Sequence, residues 1–166
     1  MQHPPGAEFS LSQDEFERKK PLFVDNILTG MDRYFYRILE GLEPEFEQFA
    51  DILTEWEKEG AAYGDFYYPR LPEEIRMRVK KSLAEPACLS RMEPFFDPEK
   101  LYYMLTPDIR KLLVTLSYRE IVFSTFYFPE SRLTLWSSYA GKWVLFSDDR
   151  IRLQRACWQF ETIRNN

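Results

Sequence analysis

The N-terminal part of the chain carries apolar residues spaced three or four positions apart, which is the pattern of amphipathic helices. Ser12 and Glu15 have the spacing of a capping box and predict a helix over residues 13–20. The next apolar stripes predict a second helix over residues 22–40 and a third over residues 44–59. Because only a short connection joins these two long helices, we expect them to pack antiparallel as a helical hairpin.

The middle of the chain combines predicted loops with short helices. Residues 60–71 and 84–97 have loop composition, and a short amphipathic helix is predicted between them. Pro98 and Pro107 each predict the start of a further helix, because proline is well suited to the first helical position.

The C-terminal part contains three segments rich in β-branched and aromatic residues. They cover residues 120–128, 133–139 and 142–147, and turn residues separate them, so we expect a three-stranded antiparallel meander. A buried helix over residues 118–128 is the alternative, because periodicity does not separate a helix from a strand in so apolar a run. A last helix is predicted over residues 149–163. The predicted fold is therefore helix-rich α+β, with the N-terminal helical hairpin, further helices and a small C-terminal β-meander; an all-α fold is the alternative.

Length and composition indicate one domain. The chain has 166 residues, of which 45% are hydrophobic, so we expect a flexible tail over residues 1–10 and a single globular domain over residues 11–166. No apolar run is long enough to span a membrane, and the N-terminus lacks the features of a signal peptide. The two cysteines, Cys88 and Cys157, share no motif, which fits a reducing compartment. The expected location is the cytoplasm.

The chain offers little material for catalysis. Its one histidine, His3, lies in the predicted tail, and neither a P-loop, a dinucleotide-binding glycine pattern nor zinc-ligand spacing occurs. We therefore predict no catalytic residue, no metal site and no cofactor. The enzymatic alternative is a metal-dependent hydrolase or nuclease that uses the carboxylates of Asp148, Asp149 and Glu120.

An acidic stripe is the first candidate contact surface. Carboxylates recur every fourth residue on the predicted third helix, at Glu47, Asp51, Glu55 and Glu59. Like charges at this spacing destabilise a helix slightly, so the stripe suggests a docking surface for a basic partner. A solvated helix face, or pairing with the basic residues of the helix after Pro72, would also explain it.

An aromatic loop is the second candidate surface. Two aromatic residues, one further residue and a proline occur together at residues 66–69, 95–98 and 126–129. The segments after the three prolines differ, so we interpret them as places where the chain stops and aromatic rings pack into the core. Only the first lies in a loop whose composition is typical of binding surfaces. The predicted contact residues there are Phe66, Tyr67, Tyr68 and Arg70, with at least one of the two tyrosines accessible.

Charge decides which partner the sequence favours. The chain has 22 basic and 27 acidic residues and a net charge of −5, so nucleic acid is not favoured as a partner. Nucleic-acid binding would have to use C-terminal arginines, namely Arg150, Arg152, Arg155 and Arg164. The sequence favours a non-enzymatic protein-interaction domain, of the inhibitor, adaptor or immunity type, that binds a protein with a basic surface. A membrane partner is not expected, and a homo-oligomer is compatible with the sequence.

Overall fold

The first helix begins where the sequence predicts it. A computed structural model describes residues 9–40 and 47–165, and for Glu47, Gln48 and Ala50 it describes only the backbone. The Glu15 amide donates to Ser12 Oγ at 3.3 Å, and the Ser12 amide donates to Glu15 Oε2 at 2.8 Å. This reciprocal pair confirms the capping box at the start of the first helix.

Seven α-helices and seven β-strands occur among the described residues. The helices are α1 (Gln13–Glu17), α2 (Ile27–Arg33), α3 (Glu47–Glu57), α4 (Glu73–Ser82), α5 (Pro86–Met92), α6 (Pro107–Tyr118) and α7 (Arg150–Arg164). The strands are β1 (Ser10–Leu11), β2 (Phe35–Leu39), β3 (Tyr63–Asp65), β4 (Tyr102–Met104), β5 (Thr125–Phe128), β6 (Leu133–Ser137) and β7 (Trp143–Ser147). Short 3₁₀ turns cover Tyr68–Arg70 and Glu93–Phe95. All strand pairs are antiparallel, and the order across the sheet is β1-β4-β3-β5-β6-β7-β2.

The predicted N-terminal helical hairpin is wrong. Asn26 caps α2, which ends at Arg33, and the chain then continues as β2 along β7. The aromatic and branched side chains of Phe35–Leu39 suit a strand, and pairing with β7 provides hydrogen bonds that no local pattern reveals. The predicted connection over residues 41–44 lies outside the described residues.

The predicted small C-terminal meander is also wrong, as is the all-α alternative. Strands occur in all three C-terminal segments, but they belong to a seven-stranded sheet that includes strands from both ends of the chain. The chain forms β3 within the loop predicted over residues 60–71, and β4 follows Pro98, where a helix was predicted. Each of these strands has only three residues, too few to show an alternating pattern.

Apolar side chains cover both faces of the sheet. On the first face, inward residues such as Phe126, Leu135 and Leu145 join one core cluster with residues of α3, α6 and α7. On the second face, N-terminal residues such as Phe16 and Val24 pack against the sheet in two further clusters. The result is three layers with the sheet in the middle, which explains why β5 and β7 are buried at every position.

Several local predictions are confirmed. Thr106 caps α6, and Asp149 caps α7, close to the predicted starts of both helices. Residues 1–8 of the predicted tail lie outside the described residues, whereas Phe9 is buried and Ser10 begins β1. Within the described part of the chain, no helix combines the length and apolar character that crossing a membrane requires.

Candidate functional site

Strand β3 presents a carboxyl group to the interior of the second face. Its three residues alternate, so Gly64 faces α6 on the first face while Tyr63 and Asp65 face the other way. A Cβ atom at Gly64 would overlap Leu113 Cδ1 and would lie 3.2 Å from Leu105 Cδ2. Glycine therefore lets β3 lie close against α6 and fixes the position of the next residue, Asp65.

Asp65 is held at the point where the β3–β5 ladder stops. The last residue pair of that ladder is Gly64 with Phe126, and at the next position the Thr125 amide donates to Asp65 Oδ1 at 2.7 Å. The carboxyl group thus replaces a backbone acceptor. No lysine, arginine or histidine of the described residues forms an ion pair with it.

The environment of Asp65 opposes its ionisation. Only 8% of the residue is exposed, and burial raises the pKa of its carboxyl group to about 7. The amide and hydroxyl of Thr125 act in the opposite direction, but their effect is smaller. Near neutral pH the chain therefore holds a carboxyl group that is poised between its protonated and ionised forms and has no cationic partner in the described part of the chain.

A cavity of about 220 Å³ adjoins Asp65 on the second face of the sheet. Aromatic rings from five different segments form much of its wall, namely Phe23, Tyr67, Tyr102, Phe123, Tyr127 and Trp136. A second carboxylate, that of the exposed Asp25, also lines it. No basic side chain of the described residues lines the cavity, so its charge is entirely acidic.

Two of the three tyrosine rings in the wall are held in place by hydrogen bonds and by ring packing. The Tyr127 hydroxyl donates to the Val24 carbonyl at 3.2 Å, and the Tyr102 hydroxyl donates to Gln13 Oε1 at 2.8 Å. Phe16 stacks on Tyr102 and packs edge-on against Tyr127. Burial raises the pKa of both hydroxyls, so they stay protonated. Because each hydroxyl has another acceptor, these residues present rings to the cavity and leave Asp65 without a phenolic donor.

The polar part of the wall contains an unsatisfied hydroxyl. Ser124 is buried, and its Oγ finds no hydrogen-bond partner among the described residues. Its backbone is well paired, because the Ser124 amide donates to Ser117 Oγ at 3.0 Å and its carbonyl accepts from Ser137 Oγ at 2.7 Å. Buried hydroxyls without partners are uncommon and are often explained by a ligand or an ordered water.

The predicted aromatic loop divides between core and surface. Phe66 and Tyr68 are fully buried and stack on each other, and the Tyr68 hydroxyl donates to Glu93 Oε1 at 3.0 Å. Tyr67 is 46% exposed at the cavity, so it is the accessible tyrosine. Arg70 is exposed as well, and its Nε donates to the Pro98 carbonyl at 2.8 Å. Of the four predicted contact residues in this loop, Tyr67 and Arg70 therefore reach solvent.

Three of the four residues of the predicted acidic stripe lie on α3, on the other side of the sheet, and Glu59 lies just after the helix ends at Glu57. Asp51 and Glu59 are exposed, Glu55 is half-buried, and the side chain of Glu47 lies outside the described residues. Glu55 pairs with Lys58 just past the end of the helix, and Glu59 Oε2 lies 3.4 Å from an Nη atom of Arg152 on α7. Because α3 covers the first face and the Asp65 cavity opens on the second, the structure does not bring the two predicted surfaces together. The docking role of the stripe stays a prediction.

The carboxylates of the enzymatic alternative are each engaged elsewhere. Asp148 accepts from Arg132 Nε at 3.0 Å, and Asp149 caps α7 by accepting from the Ile151 amide at 2.8 Å. Glu120 Oε1 accepts from the Ala140 amide at 2.6 Å. Within residues 9–40 and 47–165, no group of three or more potential metal ligands occurs. The geometry therefore gives the metal-dependent alternative no support.

Several C-terminal arginines are engaged within the chain as well. The Arg150 guanidinium lies 5.0 Å from the ring centroid of Phe35, and Arg164 lies 5.7 Å from that of Phe160. Arg152 also pairs with Glu59, so three of the four arginines have a partner within the chain, while all four remain exposed.

No protein-family model matches the chain, and comparisons with curated proteins and with solved structures found no match. The residues themselves must therefore indicate the function. Of the residues that line the cavity, only Tyr67 is among the predicted contact residues, and Asp65 was missed although it lies in the same predicted loop. The sequence shows Asp65 only as a single carboxylate between Gly64 and Phe66. The burial of Asp65 depends on the pairing of β3 with β4 and β5, which the sequence does not show.

Proposed function

We propose that the protein is a non-enzymatic binding domain that docks a basic partner protein, with the Asp65 cavity and Tyr67 at the centre of its contact surface. One observation carries the proposal: the cavity is lined by two carboxylates and six aromatic rings and by no basic side chain of the described residues. A cationic side chain of a partner would supply the charge that this site lacks.

The surroundings of the cavity suit a protein contact. Tyr67 is a half-exposed aromatic residue with a polar tip, and tyrosine is among the residues that contribute most to binding energy at interfaces. The net charge of −5 would attract a basic partner at long range and accelerate association. The proposal covers an inhibitor, an adaptor or an immunity protein, since each acts by occupying a surface of its partner.

The proposed setting is the cytoplasm. Cys88 and Cys157 are both half-buried and unpaired, and free thiols of this kind persist where the compartment is reducing. The acidic surface formed by Asp51 and Glu55 of α3 and by Glu59 just after it is a second candidate surface for the same class of partner.

Selection from a random peptide library displayed on phage tests the proposal. We expect peptides enriched in lysine or arginine that bind the wild-type protein, lose affinity for Asp65→Asn and bind more weakly as salt increases. Asp51→Asn on α3 is the matched control, because it removes one carboxylate from the other side of the sheet. Peptides without basic residues, or basic peptides that bind Asp65→Asn as tightly as the wild type, would contradict a contact centred on Asp65. Basic peptides that respond only to Asp51→Asn would place the contact on α3.

A further inference from the structure

We infer that the Asp65 cavity selects a primary alkylammonium group, such as the end of a lysine side chain or a free primary amine, over a guanidinium group. The inference rests on the proposed function in that it concerns the same cavity, and it names the chemical group that the cavity takes.

Size limits the occupant. The cavity measures about 220 Å³, which is below the roughly 300–1,000 Å³ of sites for drug-sized ligands. It exceeds the approximately 150 Å³ of an apolar cavity that accommodates benzene. A charged head group with a few methylene groups fits this space, whereas a nucleotide or a folded peptide segment does not.

Charge sets the sign of the occupant. Asp65 is buried without a cationic partner among the described residues, and Asp25 adds a second carboxylate to the lining. An isolated buried carboxylate is unfavourable unless a cation or several hydrogen-bond donors compensate it. In the described part of the chain its donors come from Thr125, through the amide and the hydroxyl, so a bound cation would complete the environment of the carboxylate.

Hydrogen bonding favours ammonium over guanidinium. An arginine side chain binds a carboxylate most strongly through two parallel hydrogen bonds, one to each oxygen. Asp65 already accepts from the Thr125 amide, at 2.7 Å to Oδ1, and from the Thr125 hydroxyl, so fewer of its lone pairs remain for that arrangement. An ammonium group is a compact charge with three donors, so it can bind through a single free position on the carboxylate.

The aromatic walls suit the rest of such a ligand. Cations are attracted to ring faces within about 6 Å, and methylene groups pack on the same surfaces. Tyr102 and Tyr127 are anchored by hydrogen bonds to Gln13 Oε1 and to the Val24 carbonyl, so their rings are in place before a ligand binds. A preorganised site of this kind loses little conformational entropy on binding.

A primary ammonium group could come from a lysine side chain of a partner protein or from a free amine, and the following titration distinguishes these two sources. Isotope-labelled protein is titrated with n-butylammonium chloride, with N-acetyl-lysine N-methylamide and with the corresponding arginine derivative, at constant ionic strength set with sodium chloride. The readout is the chemical shift of the backbone amides of Thr125 and Ser124. We expect butylammonium to shift both amides, and the arginine derivative to bind roughly tenfold more weakly than the lysine derivative.

Variants show whether the cavity is responsible. Asp65→Asn keeps an oxygen acceptor for Thr125 but removes the charge, and it should weaken butylammonium binding about tenfold or more. Asp25→Asn, at an exposed position of the lining, should weaken it a few-fold and serves as a second variant. Glu161→Gln, which removes an exposed carboxylate of α7 that belongs to neither candidate surface, should leave it unchanged.

The outcomes separate the inference from the proposed function. Binding of butylammonium and the lysine derivative supports the inference with a protein lysine as the source, whereas binding of butylammonium alone supports it with a free amine as the source. Binding of neither, equal or tighter binding of the arginine derivative, or butylammonium affinity that is unchanged in Asp65→Asn would overturn the inference. If the inference fails in this way but basic peptides still require Asp65, the proposed docking function stands. If amines bind but no basic peptide does, the docking function fails and the ammonium site remains.

Discussion

The Thr125 amide donates to Asp65 Oδ1 at 2.7 Å, and this hydrogen bond joins residues 60 positions apart in the sequence. It lies at the end of the β3–β5 ladder and couples the buried carboxyl group to the sheet itself. The position of Asp65 therefore follows from strand pairing. Any change in its ionisation is expected to affect both the cavity and the stability of the fold.

Asp65→Asn should remove one component of the pH dependence of the free energy of unfolding. The pKa of the carboxyl group is about 7 in the folded protein, against a reference value of 3.8. Between these values the unfolded chain binds fewer protons than the folded one, so the contribution of Asp65 to stability is complete below pH ~4 and is lost as the pH rises through ~7. The loss is about 4 kcal/mol in the free energy of unfolding. The variant keeps the acceptor for Thr125 and lacks the ionisable group, so it should gain stability over the wild type as the pH rises.

Urea unfolding from pH ~4 to pH ~8 measures this difference. Other carboxyl groups titrate in both proteins and cancel when the variant is subtracted from the wild type. The groups around the cavity that could change the result are Asp25, Tyr67, Tyr102 and Tyr127, and none of them is basic. Equal pH dependence in wild type and variant would show that Asp65 is hydrated and ionised like a surface residue.

The sequence predicts the features that depend on neighbouring residues. The capping box of Ser12 with Glu15 and the helix start at Pro107 are local patterns, and both occur in the structure. The apolar residues of Phe35–Leu39 continue the helical spacing of the residues before them, so the sequence predicts a helix there. The segment forms a strand because it pairs with the distant strand β7, and the local sequence does not reveal this pairing. The burial of Asp65 was missed for the same reason, since two distant strands create its environment.

Gly64→Ala should destabilise the protein by roughly 1–3 kcal/mol, because the added methyl group would overlap the buried Leu113. Gly60→Ala provides the matched control. Its added methyl group would meet Cγ of Glu130, whose exposed side chain can rotate away, and would lie 3.1 Å from Glu130 Cβ, which requires only a small shift. Thermal unfolding compares the two variants, and we expect a clear loss for Gly64→Ala and a change within about 0.5 kcal/mol for Gly60→Ala. Equal losses would mean that the contact between β3 and α6 can relax.

Arg110→Met should destabilise the protein by roughly 2–3 kcal/mol, because it leaves the carboxylate of Glu57 buried without its partner. Arg110 Nε donates to Glu57 Oε1 at 3.0 Å, and the two side chains are only 12% and 18% exposed. Burial raises the pKa of Glu57 even with the guanidinium in place. The double variant Glu57→Gln/Arg110→Met should recover most of the loss, since no unpaired charge remains.

Arg78→Met is the control for this ion pair. Arg78 pairs with Glu74 on the surface, where the side chains are 71% and 77% exposed, and its loss should change stability by less than about 0.5 kcal/mol. Chemical denaturation of all three variants gives the comparison. A double variant as unstable as Arg110→Met would show that lost packing, rather than the unpaired charge, causes the effect.

Ala140→Asn should stabilise the turn between β6 and β7. Ala140 and Gly141 occupy its two central positions with φ of +59° and +65°, and the Lys142 amide donates to the Tyr139 carbonyl at 3.3 Å. Positive φ at both positions is the geometry of a type I′ turn, in which asparagine followed by glycine is strongly preferred. Alanine is strained in this region, so we expect a gain of about 0.5–1 kcal/mol, measured as a higher midpoint of thermal unfolding. Ala140→Val should have the opposite effect, because a β-branched side chain tolerates positive φ least. If both variants had the same stability as the wild type, the turn would be free to adopt another conformation at little cost.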